Sequence, residues 1–339
     1  MVIQDALNRI LAGESLQASE MRETMMSIMQ GECSPAQIGG FLVALRMKGE
    51  TVEEIAAAAG VMRELSTRVL IDLPHLVDVV GTGGDGSSTF NVSTTSAFVV
   101  AAAGGNVAKH NNRSVSSSSG SADVLDAAGI KLDLNPEQVI RCVNEVGIGF
   151  MFAPMHHGAM KHAAGPRKEL GARTLFNLLG PLTNPASAPN MLMGVFADHW
   201  LEPLAQVLNK LGLRHVMVVH SEDGMDEISI AAPTRVAELN NGEVKSYSIK
   251  PADLGIEPGN VAEITVANPA ESLQMMQAVL ANQAGTARDI VRLNAGAAIY
   301  TAGLVDDLES GVELATERIE DGSARDKLEK LVALSQSME

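Results

Sequence analysis

An apolar stretch, Val77–Val80, runs into Gly81-Thr82-Gly83-Gly84-Asp85-Gly86. A second, Asn106-Val107-Ala108, runs into Lys109-His110-Asn111-Asn112-Arg113 and then a serine tract, Ser114 to Ser121. Both loops are rich in groups that hold anions: backbone N–H groups that glycine lets approach closely, hydroxyls, and two cationic side chains. Between them an apolar helix is expected from about residue 90 to 103, opening at Asn91-Val92-Ser93-Thr94. Its positive end faces the glycine loop. A helix cap needs one hydroxyl, and Ser87, Ser88, Thr89, Ser93 and Thr94 supply more than that. The chemistry is recognition of a polyphosphate at the ends of two strands, where open α/β sheets place their ligands.

Gly81, Gly83 and Gly86 also fit G-x-G-x-x-G, the dinucleotide fingerprint. That fingerprint needs an acid at the end of the second strand, roughly 20 residues on. Here that strand ends in Lys109-His110, and residues 87–122 contain no Asp or Glu. The glycines are therefore better explained by close anion approach than by a nicotinamide cofactor. A further chemical candidate is Asp226-Glu227, in a loop after the apolar run Val216–Val219. A solvated acidic turn explains this pair on its own; beside a polyphosphate the pair becomes a candidate Mg2+ site, since Mg2+ uses few carboxylates plus ligand oxygens. His156, His157 and His162 lie near Lys161, Arg167 and Lys168, but no H-E-x-x-H spacing points to zinc. Arg167 is a candidate for gripping a carboxylate in a bidentate manner, or a surface arginine.

The elements that must position these groups fall into two kinds. The first 70 residues show only helical signals: Ile3, Ala6, Leu7, Ile10 and Leu11 at helical spacing, Ser19 as cap of a Met-rich helix to Gln30, a capping box at Ser34–Gln37 with Pro35, and another at Thr51–Glu54. From Asp72 apolar runs alternate with helices. Strands are expected at 77–80, 106–109, 130–134, 148–152, 191–196, 215–220, 228–231, 235–240, 244–249 and 263–266, with a last helix over about 307–336. This predicts an α/β fold: a small all-helical domain plus a large α/β domain with a mostly parallel central sheet and helices on both faces. The basic helical segment 155–185 is expected to return to the helical part. The division is then 1–70 plus about 160–186 for the helical domain, and 71–159 plus 187–339 for the α/β domain.

Composition bounds the function. At 339 residues with 46% apolar content the chain supports two domains and a large core. A net charge of −16 argues against general nucleic-acid binding, so any phosphate must be held locally against an acidic field. Cys33 and Cys142 provide neither a disulfide framework nor a metal site. No signal peptide or membrane span is evident, and a cytoplasmic protein is expected.

Taken together, Gly81 to Asp85, Asn91 to Thr94, Lys109-His110-x-Asn112-Arg113-Ser114-Val115-Ser116-Ser117, Arg167 within GPRKELGARTLFNLLGPLTNP, Asp226-Glu227, and LNAGAAIY at 293–300 resemble the anthranilate phosphoribosyltransferase family in order and spacing. The resemblance implies transfer of the phosphoribosyl group of phosphoribosyl pyrophosphate (PRPP) to the amine of anthranilate, and a homodimer formed through the helical domain. It implies PRPP contacts at Gly81, Gly84, Asp85, Thr89, Asn91, Val92, Ser93, Thr94, Lys109, His110, Asn111, Asn112, Arg113, Ser114, Val115, Ser116, Ser117 and Ser121. It implies anthranilate contacts at Gly81, Asn112 and Arg167, and Mg2+ ligands Ser93, Asp226 and Glu227. No general acid or base is assigned. The family pattern has glycine where this chain has Asn111, which suggests positive φ or close ligand approach at that position. Two relatives of the same plan fit less well: a pyrimidine nucleoside phosphorylase, and a catalytically silent nucleic-acid binder, which would be basic.

Overall fold

The computed structural model describes residues 2–114 and 118–338. It opens with four helices: α1 (Ile3–Leu11), α2 (Ala18–Gln30), α3 (Pro35–Lys48) and α4 (Val52–Glu64). Reciprocal caps start two of them. Ser34 and Gln37 each accept the other's backbone N–H at α3, and Thr51 and Glu54 do so at α4. Buried Glu54 also accepts from Leu16 N–H and Lys48 Nζ, so one carboxylate fastens the α1–α2 and α3–α4 turns. Helix α2 starts just ahead of the expected Ser19 cap, because Glu20 reaches back to the Gln17 N–H.

Seven strands form one sheet: β1 (Leu76–Gly81), β2 (Asn106–Asn111), β3 (Ile148–Phe152), β4 (Asn190–Gly194), β5 (His215–Ser221), β6 (Thr234–Asn240) and β7 (Glu243–Ile249). Their order is β3-β2-β1-β4-β5-β6-β7. The first five are parallel, and β6 and β7 add antiparallel. Asn241-Gly242, both at positive φ, makes the two-residue turn between the last pair. The strand order reverses between β1 and β4. A crevice opens there at the carboxyl ends of the strands.

Alternation along the strands divides the core. Val77 and Val79 pack with α5 (Val92–Ala102), α6 (Ser121–Ala127), α7 (Pro136–Val146), α12 (Pro269–Leu280), α13 (Thr286–Thr301), α14 (Leu308–Glu320) and α15 (Ser323–Gln336). Val80, Met191 and Met193 face the other way, into a cluster with α1–α4, α10 (Leu175–Leu182) and α11 (Leu201–Lys210). Between β3 and β4 the chain makes its excursion through α8 (Ala153–His156), α9 (Lys161–Leu170) and α10. Both ends of the excursion bond to the linker before β1. Thr67 N–H donates to the His156 carbonyl at 2.8 Å, and Val69 N–H to the Pro185 carbonyl at 3.1 Å. Among the described residues no helix is long and apolar enough to cross a membrane.

Three expected strands are not strands. Residues 130–134 carry no regular secondary structure, and Ile130, Leu132 and Leu134 are buried in alternation, but their neighbour is α15: Lys131 N–H donates to Ser335 Oγ. At 228–231 the partner is a side chain. Asn294 accepts from Ile228 N–H and donates to its carbonyl, replacing a neighbouring strand. Residues Val261–Ile264 form a 3-10 turn, and only Thr265 makes a bridge, to Thr89. The expected final helix is two, α14 and α15, broken at Gly322, whose φ is +79°.

Asp78 on β1 is fully buried and pins the end of the excursion. Its carboxylate accepts from Asn184 Nδ2 at 2.7 Å and His110 N–H at 3.3 Å, and Asn184 also donates to the Ala108 carbonyl. Burial pushes its pKa up to about 6. Asp78→Asn keeps an acceptor for one of these donors and sets an amide donor against the other. It is expected to lower the unfolding free energy by roughly 2 kcal/mol at pH 8, read from urea denaturation; an unchanged midpoint would show that the carboxylate is not the tie.

Candidate active site

β1 and β4 end side by side in two glycines, with Gly81 paired to Gly194. Asp226 crosses both. A Cβ on Gly81 would lie 2.6 Å from Asp226 Oδ2, and one on Gly194 only 1.5 Å from the Asp226 carbonyl oxygen. Two bare strand ends therefore let the acidic loop settle onto the sheet. The Asp226 carboxylate then accepts from Gly83 N–H at 2.7 Å, and the Asp226 N–H donates to Asp85 Oδ2 at 3.4 Å. Glu227 accepts from Ser93 N–H, in the first turn of α5, at 3.2 Å. Glycine loop, acidic pair and helix start, far apart in sequence, converge at the crevice.

The electrostatics follow from this packing. Burial, then the neighbouring Asp85 charge, pushes the Asp226 carboxyl up to about 7. Burial and Asp226 raise Glu227 well above the usual carboxylate range. The nearby cation is Lys109, lowered by burial to about 8 and drawn back up by Asp78 and Glu227. Its Nζ donates to the Val79 carbonyl at 2.5 Å and to Ser93 Oγ at 3.4 Å. Three carboxyl groups crowd one lysine in a poorly solvated crevice, and the raised pKa values of Asp226 and Glu227 mean that their ionised forms lack a compensating cation. This donor set suits a divalent cation. Among the described residues no cluster of three or more His, Cys, Asp or Glu would hold a metal unaided. Such a site relies on oxygens from its ligand, as Mg2+ does.

Strand alternation distributes the second loop. Lys109 and Asn111 point to one side, toward Ser93 and toward Ser121, whose Oγ accepts from Asn111 Nδ2 at 3.0 Å. His110 points to the other, where its ring meets His157 edge-on at 5.0 Å. Both rings are buried, and that burial is the first cause of their lowered pKa values. Among the described residues none of their ring nitrogens has a hydrogen-bond partner of good geometry. Asn111 ends β2 and is not among the residues at positive φ, so strand geometry does not demand glycine there.

The other expected residues have varied surroundings. Gly84 sits at φ +78°, and Thr89 bridges to Thr265. Asn91 precedes α5 with its side chain fully engaged, bonding Ser119 and Ser272. Val92 packs into the core, leaving its backbone at the helix start. Thr94 donates to Ser121 Oγ. Asn112 is exposed, and the Arg113 guanidinium turns to Asp123 and Asp126, while Ser114 N–H donates to Asp123. Val115, Ser116 and Ser117 lie outside the described residues. Arg167, on α9, sits 5.1 Å over the Phe176 ring, and burial lowers its pKa. Sequence reasoning missed Gly194, Asn184, Ser272 and Phe196. Gly194 follows no motif, and its signal is only that it ends a strand beside Gly81.

The family model described as "Glycosyl transferase family, a/b domain" matches residues 73–325, and "Glycosyl transferase family, helical bundle domain" matches 4–66. The anthranilate phosphoribosyltransferase of Methylococcus capsulatus is 62% identical over 335 residues, covering 99% of this chain and 98% of that protein. Two solved structures share the fold. The anthranilate phosphoribosyltransferase of Thermus thermophilus has a TM-score of 0.93 at 42% identity, over 98% of this chain and 100% of that one. The Saccharomyces cerevisiae enzyme, in complex with PRPP and Mg, has a TM-score of 0.91 at 26% identity, over 99% and 98%.

Gly194→Ala forces the acidic loop off the strand ends. It is expected to leave the circular-dichroism spectrum unchanged and to cost about a hundredfold in turnover, as misplacement of a site by about 1 Å does. Full turnover would show that the loop does not need this path.

Proposed function

We propose that this chain, which belongs to the anthranilate phosphoribosyltransferase family, transfers the phosphoribosyl group of PRPP to the amine of anthranilate, giving N-(5-phosphoribosyl)anthranilate and pyrophosphate in tryptophan biosynthesis. The observation that carries the site-level reading is the landing of Asp226 on Gly83 N–H, which joins acidic pair and glycine loop.

The aromatic amine is already a nucleophile, so the barrier lies in breaking the ribose C1′–oxygen bond. Positive charge grows on the ribose and negative charge on the departing pyrophosphate. The glycine loop, the α5 N-terminus and Lys109 supply oriented N–H groups and a cation for that negative charge. Asp226, Glu227 and Ser93 would hold Mg2+, which when bound neutralises charge on the leaving group. Asn111, Asn112 and Ser121 complete the PRPP side.

Arg167 grips the anthranilate carboxylate, and Gly81 and Asn112 border the amine. Holding the amine behind C1′ supplies much of the remaining rate. The helical domain comprises 1–70 plus about 160–186. It closes over the α/β domain about the linker tied at Thr67 and Val69. A charged, water-soluble donor fits a cytoplasmic setting.

Anthranilate fluorescence is expected to fall with time when PRPP and Mg2+ are present, and to hold steady in EDTA. Stable fluorescence under all conditions would refute the proposed reaction. Protons compete with the cation for Asp226, whose pKa lies at about 7. The half-saturating Mg2+ concentration is therefore expected to rise roughly tenfold from pH 8 to pH 6, and a flat profile would remove Asp226 from the cation site.

The helical domain also forms a homodimer. Met47 (84% exposed) and Val43 on α3, with Leu11 on α1 and Val2 just before it, expose apolar surface on two helices packed together. Met47→Glu is expected to halve the mass measured by light scattering, and an unchanged mass would place the interface elsewhere.

A further inference from the structure

We propose that Arg173 is a positioning residue for the glycine loop: its guanidinium fixes the Gly84–Asp85 peptide, so the helical excursion sets the loop's anion-binding face. The inference rests on the phosphoribosyl-transfer reading above.

Three successive loop residues are held by three different elements. Thr82 Oγ1 accepts from Phe196 N–H, just past β4, at 3.0 Å. Gly83 N–H donates to Asp226 at 2.7 Å. The Gly84 carbonyl accepts from the Arg173 guanidinium, which comes from the connection between α9 and α10. The first two ties belong to the sheet and its loops. The third reaches in from the excursion that also carries Arg167.

Arg173 is braced for this task. Its guanidinium lies over the Phe196 ring, 4.2 Å from the centroid, and its own carbonyl accepts from Arg46 on α3 at 2.5 Å. A Cβ on Gly84 would come within 3.3 Å of Arg173 Nη2, at a φ of +78° that already favours glycine. A trans peptide points its C=O and N–H in opposite directions. Holding the Gly84 oxygen on Arg173 therefore turns the Asp85 N–H away from the arginine. A flipped peptide would exchange the two and offer an incoming anion a carbonyl oxygen. The arrangement suits arginine, whose flat face stacks on the aromatic ring while its edge donates in plane. Arg173 is exposed, so its removal buries no unpaired group, and the role is one of orientation.

The test compares wild type, Arg173→Met and Arg173→Lys in PRPP titration calorimetry with Mg2+ and in steady-state kinetics. Arg173→Met is expected to weaken PRPP binding and raise the PRPP KM roughly tenfold, the value of one charge-assisted hydrogen bond. The anthranilate KM should stay within about twofold, and the melting temperature within about 2 °C. Arg173→Lys, which can donate but not stack as a plane, should recover part of the loss. Unchanged PRPP affinity in Arg173→Met, with wild type active, overturns the positioning role and leaves the reaction standing. So does a parallel rise of both KM values with a lowered melting temperature. If Arg173→Met does not fold, Arg173→Lys decides by the same criterion. A wild type that neither binds PRPP with Mg2+ nor consumes anthranilate overturns the reaction and this inference together.

Discussion

Asp226 lies across the ends of two parallel strands at a distance that admits no side chain beneath it. Much of the active crevice depends on that contact. If Gly194 carried even a methyl group, the Asp226 carbonyl would have to leave. Its carboxylate would leave the Gly83 N–H, and Glu227, next in the chain, would leave the first turn of α5. The crevice sits where the strand order reverses, between β1 and β4. Topology opens a gap there, and two glycines let a third loop fill it from the side.

The same contact concentrates charge. A chain of net charge −16 repels a polyphosphate at long range. At close range the crevice adds Asp85, Asp226 and Glu227, with Lys109 as nearby compensation. Burial raises the carboxyl pKa values of Asp226 and Glu227 and lowers that of Lys109, so each of these shifts works against the charges present. A site built only to bind an anion would not be assembled this way. One that receives the anion with divalent cations would, because the carboxylates then find partners. The oriented N–H groups of the glycine loop and α5 add attraction that needs no titratable group.

What the sequence made legible had local causes. The caps at Ser34 and Thr51, the 3.6-residue periodicities, the glycine loop and the Lys109 strand end were readable because neighbouring residues determine them. Residues 130–134 were misread because alternation reports which side chains are buried, not what covers them, and the cover is a helix. Residues 228–231 were misread because Asn294, 66 positions away from Ile228, supplies the hydrogen bonds of a missing strand. Gly194 escaped notice because its constraint is the passage of a distant backbone. Arg167 stands out in sequence through the basic cluster around it, whereas Arg173, six residues on, has partners visible only once Gly84 and Phe196 lie beside it.

The placement of the excursion completes the physical account. The crossover from β3 to β4 must pass from one side of β1 to the other, so it traverses the mouth of the crevice. A side chain from the helical part can reach the glycine loop most directly from that segment. Arg167 and Arg173 both lie on it, and its two ends are bonded to the linker leading into β1 through Thr67 and Val69. Packing adds to those backbone bonds, since α1–α4 share one buried cluster with Val80, Met191 and Met193 of the sheet, and Arg173 carries the position of the excursion to Gly84. Inserting this segment there, rather than appending it at a terminus, makes the geometry of the glycine loop and the placement of Arg167 depend on the same stretch of chain.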